Sequence, residues 1–427
     1  MAPPSPRLVI AEIIAVGSEL LLGGRTDSNS LLITELLGTV GIEVRFKSVV
    51  GDDQADIVRV LKNAVARANV IVMTGGLGPT VDDCTREAIA AAAGRKLVPR
   101  KEAFEGMKRR LAQWGRVPNK GQLRQALIPS GATVVANPVG SAPGFWLSWR
   151  AATVISLPGV PAEMAAMMQQ SIIPLLASQM KHGGRSLHPI RRQVFHTWGL
   201  PEADVDAKLQ GLVPPTGPVD LGLLASPLGV LVSLTTKPHK RVGDTLWNSL
   251  SASVRTRLRE WIFAEGSDSM EAVVGSLLLK NQQTIALAES CTGGLIGHRL
   301  TQVPGSSAYV DRGVICYSNQ AKIELLGVAP ELIDQHGAVS AEVAAAMAKG
   351  VRERSGVSIG LSVTGIAGPG GGTATKPVGL VYVGLNASNG EAVTREHRFH
   401  GDRSVIKQRS SQAALDLLRR WLLASGR

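Results

Sequence analysis

The fold is organised around the stretch Ala288-Glu289-Ser290-Cys291-Thr292-Gly293-Gly294. An apolar run at 284–288 precedes it and an amphipathic stretch at 295–300 follows it, which predicts a strand, a tight turn and a helix. A hydroxyl at such a turn lies near backbone N–H groups and the positive end of the helix. This geometry suits either a nucleophile that generates an oxyanion or a ligand that carries a phosphate. We therefore interpret the stretch as an active site.

The composition is that of a multidomain α/β enzyme. A chain of 427 residues is too long for one core and predicts about two to four domains. Aromatic residues make up 4% of the chain, which argues against stacking platforms for single-stranded nucleic acid. The net charge of +12 is spread evenly, with excesses of +5, +4 and +3 over residues 1–180, 181–265 and 266–427. A basic surface or several sites for anionic small molecules explains this charge at least as well as DNA.

The cysteines and the N-terminal sequence predict a cytoplasmic protein with no membrane partner. Cys84, Cys291 and Cys316 form no CxxC pair, so neither a disulfide framework nor a thiolate metal site is indicated. Met1–Pro6 lacks the apolar core of a signal peptide, and no apolar run reaches the length of a membrane span.

Strand and helix patterns alternate along the N-terminal part of the chain. Apolar runs at 8–16, 42–50, 70–73 and 153–157 are separated by helical patterns, and Pro161 is expected at the first position of a further helix. This alternation predicts a parallel sheet with helices on both faces. Ligands bind such sheets at the carboxyl ends of the strands, where two Gly-rich turns fall, at 17–24 and 74–83.

The rest of the chain predicts a small α+β unit and a second α/β domain. A linker is predicted at 182–185, followed by strand, helix, strand and helix within 190–263. Strands at 313–317, 359–364 and 379–385 then alternate with helices, and Asp402 is expected to cap the final helix.

Ser290 requires a base, and Lys322 is the candidate. Lys322 lies one turn into a helix that follows the strand carrying Tyr317, and partial desolvation would suit it to deprotonate a serine. The alternative is a solvated surface lysine. Cys291 is a rival nucleophile because a helix N-terminus lowers a thiol pKa, although helical periodicity turns the two side chains to different sides.

Two further elements suit an anion. The Gly-rich loop at 365–372 could hold a phosphate, and Arg403 at a helix start could bind one through both guanidinium nitrogens. The alternative is that Asp402 caps the helix and Arg403 is a surface residue. His298 and His336 are interpreted as structural or surface residues. Taken together, these residues indicate acyl or amide chemistry on a phosphorylated substrate.

Seven C-terminal motifs resemble the nicotinamide-nucleotide amidase domain of the CinA (competence/damage-inducible protein A) family: A-E-S-C-T-G-G, P-G-S-S, Y-S-N-x-A-K, H-G-A-V-S, G-I-A-G-P-x-G-G, K-P-V-G and G-D-R. The resemblance implies metal-free hydrolysis of nicotinamide mononucleotide to nicotinate mononucleotide and ammonia. It implies that Ser290 is the nucleophile and Lys322 its base, with Tyr317 assisting. The remaining implied residues position the base or bind the nucleotide and its oxyanion: Ser307, Thr364, Arg403, Gly293 and Gly294.

Three N-terminal motifs resemble a molybdopterin-binding (MoaB/MogA-like) domain: G-S-E-L-L-L-G-x-x-x-D-x-N, G-G-L-G-P-T-x-D-D and L-P-G-V-P-x-E-M. In CinA proteins this domain is associated with ADP-ribose pyrophosphatase activity, which needs divalent-metal or cationic stabilisation. A metal ion is therefore expected on Asp83, while Asp82 is either a second ligand or only a helix cap. The implied nucleotide-binding residues are Asn29, Gly75, Gly76, Gly78 and Thr80.

The predicted domains cover residues 1–180, 186–265 and 268–427. The middle one resembles a KH-like domain but has no G-x-x-G clamp loop, so we interpret it as a structural spacer and expect no nucleic-acid partner. The resulting prediction is a homodimeric enzyme of pyridine-nucleotide recycling that acts on small nucleotides. The alternatives are a molybdopterin-handling enzyme and a non-catalytic accessory protein of DNA uptake or repair.

Overall fold

The computed structural model describes residues 9–182, 188–237 and 240–425. Residues 1–6, for which the sequence predicted no signal peptide, lie outside this part. So does the predicted linker at 182–185, except for His182, which ends a helix. The chain forms two compact units: the first extends to Arg191 and adds Thr236–Val242, and the second comprises the remaining residues. No helix in the described ranges is long and apolar enough to cross a membrane.

Within its described residues, the first unit contains eight strands and eight helices. The strands are β1 Ile10–Val16, β2 Glu43–Val50, β3 Val70–Thr74, β4 Leu97–Pro99, β5 Leu127–Pro129, β6 Thr133–Val135, β7 Gly144–Trp149 and β8 Ala152–Leu157. The helices are α1 Ser18–Leu21, α2 Asn29–Thr39, α3 Gln54–Arg67, α4 Thr85–Ala93, α5 Lys101–Gln113, α6 Lys120–Arg124, α7 Pro161–Met167 and α8 Ile173–His182. A π-helical turn, Met168–Ile172, joins the last two.

The large sheet of this unit has the order β2-β1-β3-β8-β7-β6. The predicted parallel sheet is confirmed for β2-β1-β3-β8, whereas β7 runs antiparallel to both of its neighbours, β8 and β6. The exception follows from the chain, because only two residues connect β7 to β8 and a parallel pair needs a long crossover. Ile14 and Ile71 belong to one core cluster, and Ile13 and Val72 belong to another. Apolar packing on both faces of the sheet is thus confirmed.

The second unit begins with a four-stranded antiparallel sheet of order β10-β11-β9-β12. Its elements are β9 Arg192–Thr197, α9 Glu202–Leu209, β10 Val219–Ser226, β11 Gly229–Thr236, α10 Asp244–Leu258 and β12 Ile262–Glu265, with a 3-10 turn at Arg259–Trp261. The sequence predicted β9, α9, β11 and α10 but missed β10 and β12. β10 lacks a regular alternation of buried and exposed side chains, and β12 has only four residues.

The remaining elements form a sheet of order β14-β13-β15-β16-β17 with helices packed against it. They are α11 Met270–Lys280, β13 Ile285–Glu289, α12 Leu295–Thr301, β14 Val310–Ile315, α13 Asn319–Leu326, α14 Pro330–His336, α15 Ala341–Ser355, β15 Ile359–Gly365, β16 Leu380–Ala387, β17 Ala392–Arg398 and α16 Arg403–Ser425. In this sheet β14, β13 and β15 pair in parallel, whereas β16 pairs antiparallel with both β15 and β17. The carboxyl ends of β14, β13 and β15 therefore meet at one edge, which brings together the residues that follow them.

Candidate active site

Ser290 lies directly after β13, the middle one of the three parallel strands. Its N–H donates to the carbonyl oxygen of Val363 on β15 at 3.0 Å, and the residue is 7% exposed. The strand, the turn and the start of α12 thus place a hydroxyl at the sheet edge, as the sequence predicted.

Lys322 reaches Ser290 from the first turn of α13. The side chain of Ser318 accepts a hydrogen bond from Ala321 N–H and starts this helix, so Lys322 points back toward the turn. The Nζ of Lys322 lies 3.1 Å from Ser290 Oγ, 2.9 Å from the Cys316 carbonyl oxygen and 3.5 Å from the Tyr317 carbonyl oxygen. Lys322 is 1% exposed, so the alternative of a solvated surface lysine is wrong.

Burial shifts the pKa values of two neighbours of Ser290, Lys322 and Cys291. Lys322 pairs with no carboxylate among the described residues, and burial lowers the pKa of its ammonium group. Burial also raises the pKa of the Cys291 thiol to about 12. Cys291 packs in the hydrophobic core and stays protonated near neutral pH, which favours Ser290 as the nucleophile.

Glu289 is a functional candidate that the sequence reasoning missed. It is 2% exposed, and its carboxylate accepts hydrogen bonds from the N–H groups of Gly294, Ile296 and Gly297 at 3.0, 3.1 and 2.8 Å. The start of α12 is thus neutralised by the protein itself. The signal for this role in the sequence is an acidic residue just before a helix start.

The prediction that the Gly293 and Gly294 N–H groups hold an oxyanion does not fit this geometry. Gly293 N–H donates to the Ser290 carbonyl oxygen at 3.1 Å, and Gly294 N–H donates to Glu289. Both glycines have positive φ, 60° and 91°, so their role here is to form the turn. The N–H groups of Cys291 and Thr292 donate to no oxygen atom of the described residues, and the buried hydroxyl of Thr292 also lacks a partner there.

Arg403 and Tyr317 contact each other at the mouth of this region. The guanidinium of Arg403 donates to Tyr317 Oη at 2.6 Å and to the Gly368 carbonyl oxygen at 2.8 Å. The Tyr317 phenol therefore faces Arg403, and only its backbone carbonyl approaches Lys322. Asp402 accepts from Val405 N–H, which confirms the predicted cap of α16.

Two other predicted residues, Thr364 and Ser307, form no side-chain hydrogen bond to Ser290 or Lys322. Thr364 is buried at the end of β15, and its hydroxyl donates to the Ala338 carbonyl oxygen at 2.8 Å, so it secures a neighbouring loop. Ser307 is exposed in the 3-10 turn Ser306–Ala308 and has no hydrogen bond to Ser290 or Lys322. The predicted roles of both residues in nucleotide binding stay predictions.

Lys407 is a second residue that the sequence reasoning missed. Its Nζ lies 3.5 Å from the point where a side chain on Gly293 would begin, and it forms no ion pair with any described residue. It stands four residues after Arg403 on α16, so the two cations share one helix face. With Glu289 engaged by backbone N–H groups, the groups around Ser290 are mainly cationic and suit an anionic substrate.

The N-terminal Gly-rich turn lines a cavity of about 660 Å³. Gly75, Gly76, Gly78, Thr80, Asp82 and Asp83 all border it. A side chain on Gly75 would begin 2.1 Å from the Val16 carbonyl oxygen, so this glycine is required for the close approach of two strand ends. Arg86, which the sequence reasoning missed, is buried and donates to the carbonyl oxygens of Leu77 and Gly78. The Gly78 N–H belongs to the same peptide unit as the Leu77 carbonyl, which faces Arg86. Because a trans peptide sets N–H and C=O on opposite sides, the Gly78 N–H points away from Arg86.

Asp83 and Thr80 are hydrogen-bonded to each other within this turn. The carboxylate of Asp83 accepts from Thr80 N–H at 2.8 Å and from its hydroxyl at 2.5 Å. Asp82 is exposed and does not cap α4, whose N-cap is Cys84, so the cap alternative is wrong. Within 9–182, 188–237 and 240–425, no three His, Cys, Asp or Glu side chains are close enough to share a metal ion.

Asn29 lies beside this cavity rather than in it. Its side-chain amide donates to Thr74 Oγ1 at 2.9 Å and to the Gly159 carbonyl oxygen at 2.8 Å. It borders a neighbouring cavity of about 360 Å³, and its Oδ1 is buried without a partner among the described residues. Asn29 thus connects two strand ends, and its role in nucleotide binding stays a prediction.

Comparisons with known proteins define the family. The CinA-like protein of Geotalea uraniireducens is 42% identical over 412 residues, covering 96% of this chain and 97% of that protein. The chain belongs to the CinA family. The CinA-like protein of Thermosynechococcus vestitus is 40% identical over 418 residues, covering 97% of this chain and 99% of that protein. A solved structure, competence/damage inducible protein CihA from Agrobacterium tumefaciens, is 39% identical, covers 38% of this chain and 98% of its own, and has a TM-score of 0.35.

Three family models cover the chain in order. They are "Probable molybdopterin binding domain" over 12–178, "Damage-inducible protein CinA KH domain" over 192–264 and "CinA C-terminal domain" over 267–422. The predicted CinA family and the predicted α/β fold with MoaB/MogA-like and KH-like domains are confirmed.

The buried contacts of Glu289 predict a stability effect. Glu289→Gln keeps the side-chain size but places an NH₂ group against backbone N–H donors, and we expect it to lower the free energy of unfolding by about 1–3 kcal/mol. Urea unfolding followed by circular dichroism measures this. Glu342→Gln is the matched control, since Glu342 lies in the first turn of α15 and its side chain is 47% exposed. Equal effects of the two substitutions would contradict the assignment.

Proposed function

We propose that the C-terminal domain is a serine amidase that converts nicotinamide mononucleotide to nicotinate mononucleotide and ammonia. The observation that carries the proposal is the 3.1 Å contact between the Nζ of the buried Lys322 and Ser290 Oγ. Family membership and the C-terminal motifs support it. A nucleophile and a base within hydrogen-bonding distance are the minimum that acyl transfer needs.

The proposed reaction uses the chain's own residues. Neutral Lys322 takes the hydroxyl proton as Ser290 Oγ attacks the carboxamide carbon. The C–N bond then breaks, the proton passes to the leaving nitrogen, and ammonia departs. Water, activated by the same lysine, hydrolyses the Ser290 ester and releases nicotinate mononucleotide. The N–H groups of Cys291 and Thr292 are the available oxyanion donors, in place of those at Gly293 and Gly294.

The substrate phosphate is assigned to the cations of α16. Arg403 and Lys407 lie one turn apart near the turn that bears Ser290. A guanidinium and an ammonium group on one helix face suit a phosphate dianion.

The N-terminal domain is proposed to hydrolyse ADP-ribose with a divalent cation. The cavity beside Gly78 also contains Glu19, Asp82 and Asp83. A Mg²⁺ ion typically takes one or two carboxylates and completes its shell with water and substrate phosphate oxygens, so these residues fit such an ion. When bound, the ion would neutralise charge on the pyrophosphate, and the Gly78 N–H would donate to a phosphate oxygen.

The choice of nucleophile can be tested directly. Ser290→Ala is expected to abolish ammonia release from nicotinamide mononucleotide, whereas Cys291→Ala is expected to retain it, because the Cys291 thiol has a pKa raised to about 12. An ammonia assay on both variants, with thermal melts to verify folding, decides the point. Release at the wild-type rate by Ser290→Ala would refute the assignment.

The base predicts a pH dependence with a definite sign. Protonated Lys322 cannot accept the Ser290 proton, so kcat/KM should rise with pH through an apparent pKa below the ordinary lysine value of 10.5. Lys322→Arg should be inactive throughout, since a guanidinium stays protonated. A flat pH profile, or an active Lys322→Arg variant, would contradict the role of Lys322.

The N-terminal activity should be separable from the amidase. Asp83→Asn can still accept from Thr80 N–H but loses its charge, so we expect ADP-ribose hydrolysis to need a higher concentration of Mg²⁺ while ammonia release is unchanged. The control is Asp56→Asn on an exposed face of α3. Chromatographic product analysis over a Mg²⁺ titration measures both activities. An unchanged Mg²⁺ requirement would exclude Asp83 as a ligand.

A further inference from the structure

A cavity of about 780 Å³ lies in the second unit, away from Ser290. Its walls are the turn at 198–202, the hairpin turn at 226–230, the end of β17 and one face of α16. None of Ser290, Lys322 and Lys407 borders it. Small-molecule sites typically have volumes of about 300–1,000 Å³.

The strand and helix walls follow from sequence spacing. Arg395, His397 and Phe399 alternate along the end of β17 and therefore share one face of the sheet. Arg409 and Arg420 lie on one face of α16, together with Ala413 and Asp416. The strand face and the helix face border the same space.

Four arginines and two carboxylates, Glu202 and Asp416, border this cavity, so its charge is positive. Asp416 accepts hydrogen bonds from Arg419 and Arg420, so its carboxylate is neutralised. The guanidinium groups of Arg395 and Arg409, by contrast, form no hydrogen bond or ion pair with any described residue. Two free guanidinium groups around one cavity suit a phosphate.

The cavity also has an aromatic wall with an unused polar atom. The rings of His397 and Phe399 stack with centroids 5.3 Å apart and planes at 9°, and the half-buried Trp198 also borders the cavity. The Nε2 of His397 is buried without a hydrogen-bond partner among the described residues. A buried polar atom normally has a partner, and His397 borders the cavity, so a ligand there is the candidate partner of this ring.

We propose that this cavity binds a nucleoside phosphate. Arg395 and Arg409 hold the phosphate, the base packs against Trp198 and the His397–Phe399 pair, and His397 Nε2 hydrogen-bonds to it. Because Trp198 belongs to the middle domain, this domain contributes to a binding site and is more than a spacer. The site is independent of the reaction proposed at Ser290.

The test is hydrogen–deuterium exchange of the full chain with and without AMP. We expect AMP to slow exchange in peptides covering 198–202 and 395–399. The double variant Arg395→Ala/Arg409→Ala should raise the Kd of this protection about tenfold or more, because hydrogen bonds to charged groups are lost. Arg192→Ala, an exposed arginine on β9 outside the cavity, is the matched control and should bind as the wild type does.

Localised protection separates this site from the other two, since AMP bound elsewhere protects peptides around 75–83 or 290–294 instead. Absence of protection at 198–202 and 395–399 would overturn the proposal, as would an unchanged Kd in the correctly folded double variant. Equal protection by inorganic phosphate would overturn the nucleoside class.

Discussion

The C-terminal domain depends on a cation that is buried without a carboxylate. Lys322 Nζ is surrounded by Ser290 Oγ and two backbone carbonyl oxygens, and it pairs with no acidic side chain of the described residues. An unpaired ammonium group is costly in such a place, so burial lowers the pKa of Lys322. Sites that break a rule of stability in this way are commonly functional. The neighbouring residues hold the arrangement: Cys316 and Tyr317, which follow β14, supply the carbonyl groups, and Ser318 sets where α13 begins.

The two Gly-rich turns share a second constraint. In each turn a carboxylate of the protein already accepts the hydrogen bonds that a phosphate could have received: Glu289 at the start of α12 and Asp83 at Thr80. In the proposed function, anion binding is therefore assigned to other groups, which are Arg403 and Lys407 in one domain and the Gly78 N–H in the other. The glycines themselves are needed for backbone geometry, as the positive φ of Gly294 and the tight contact of Gly75 with Val16 illustrate.

Much of the fold follows from local pattern. The buried strands β1, β3 and β13 and the helices after them were predicted because continuous apolar runs and helical spacing record burial directly. The antiparallel strands β7 and β17 and the short β12 were not predicted, since their side chains are partly exposed or few and their pairing depends on distant partners. Ser290 and Lys322 were predicted as candidates from residue type and position, and their 3.1 Å contact came only from the structure.

The sequence by itself determined the family, the order of the domains and the identity of the residues at each strand end, because motifs and periodicity are local properties of the chain. Tertiary structure alone decided which groups are free to act. It buried Lys322 beside Ser290, engaged Glu289 with the N–H groups of α12, kept Ser307 exposed and brought Lys407 to Gly293. The physical reason is that desolvation and hydrogen-bond occupancy depend on atoms far apart in sequence, and no local pattern records them.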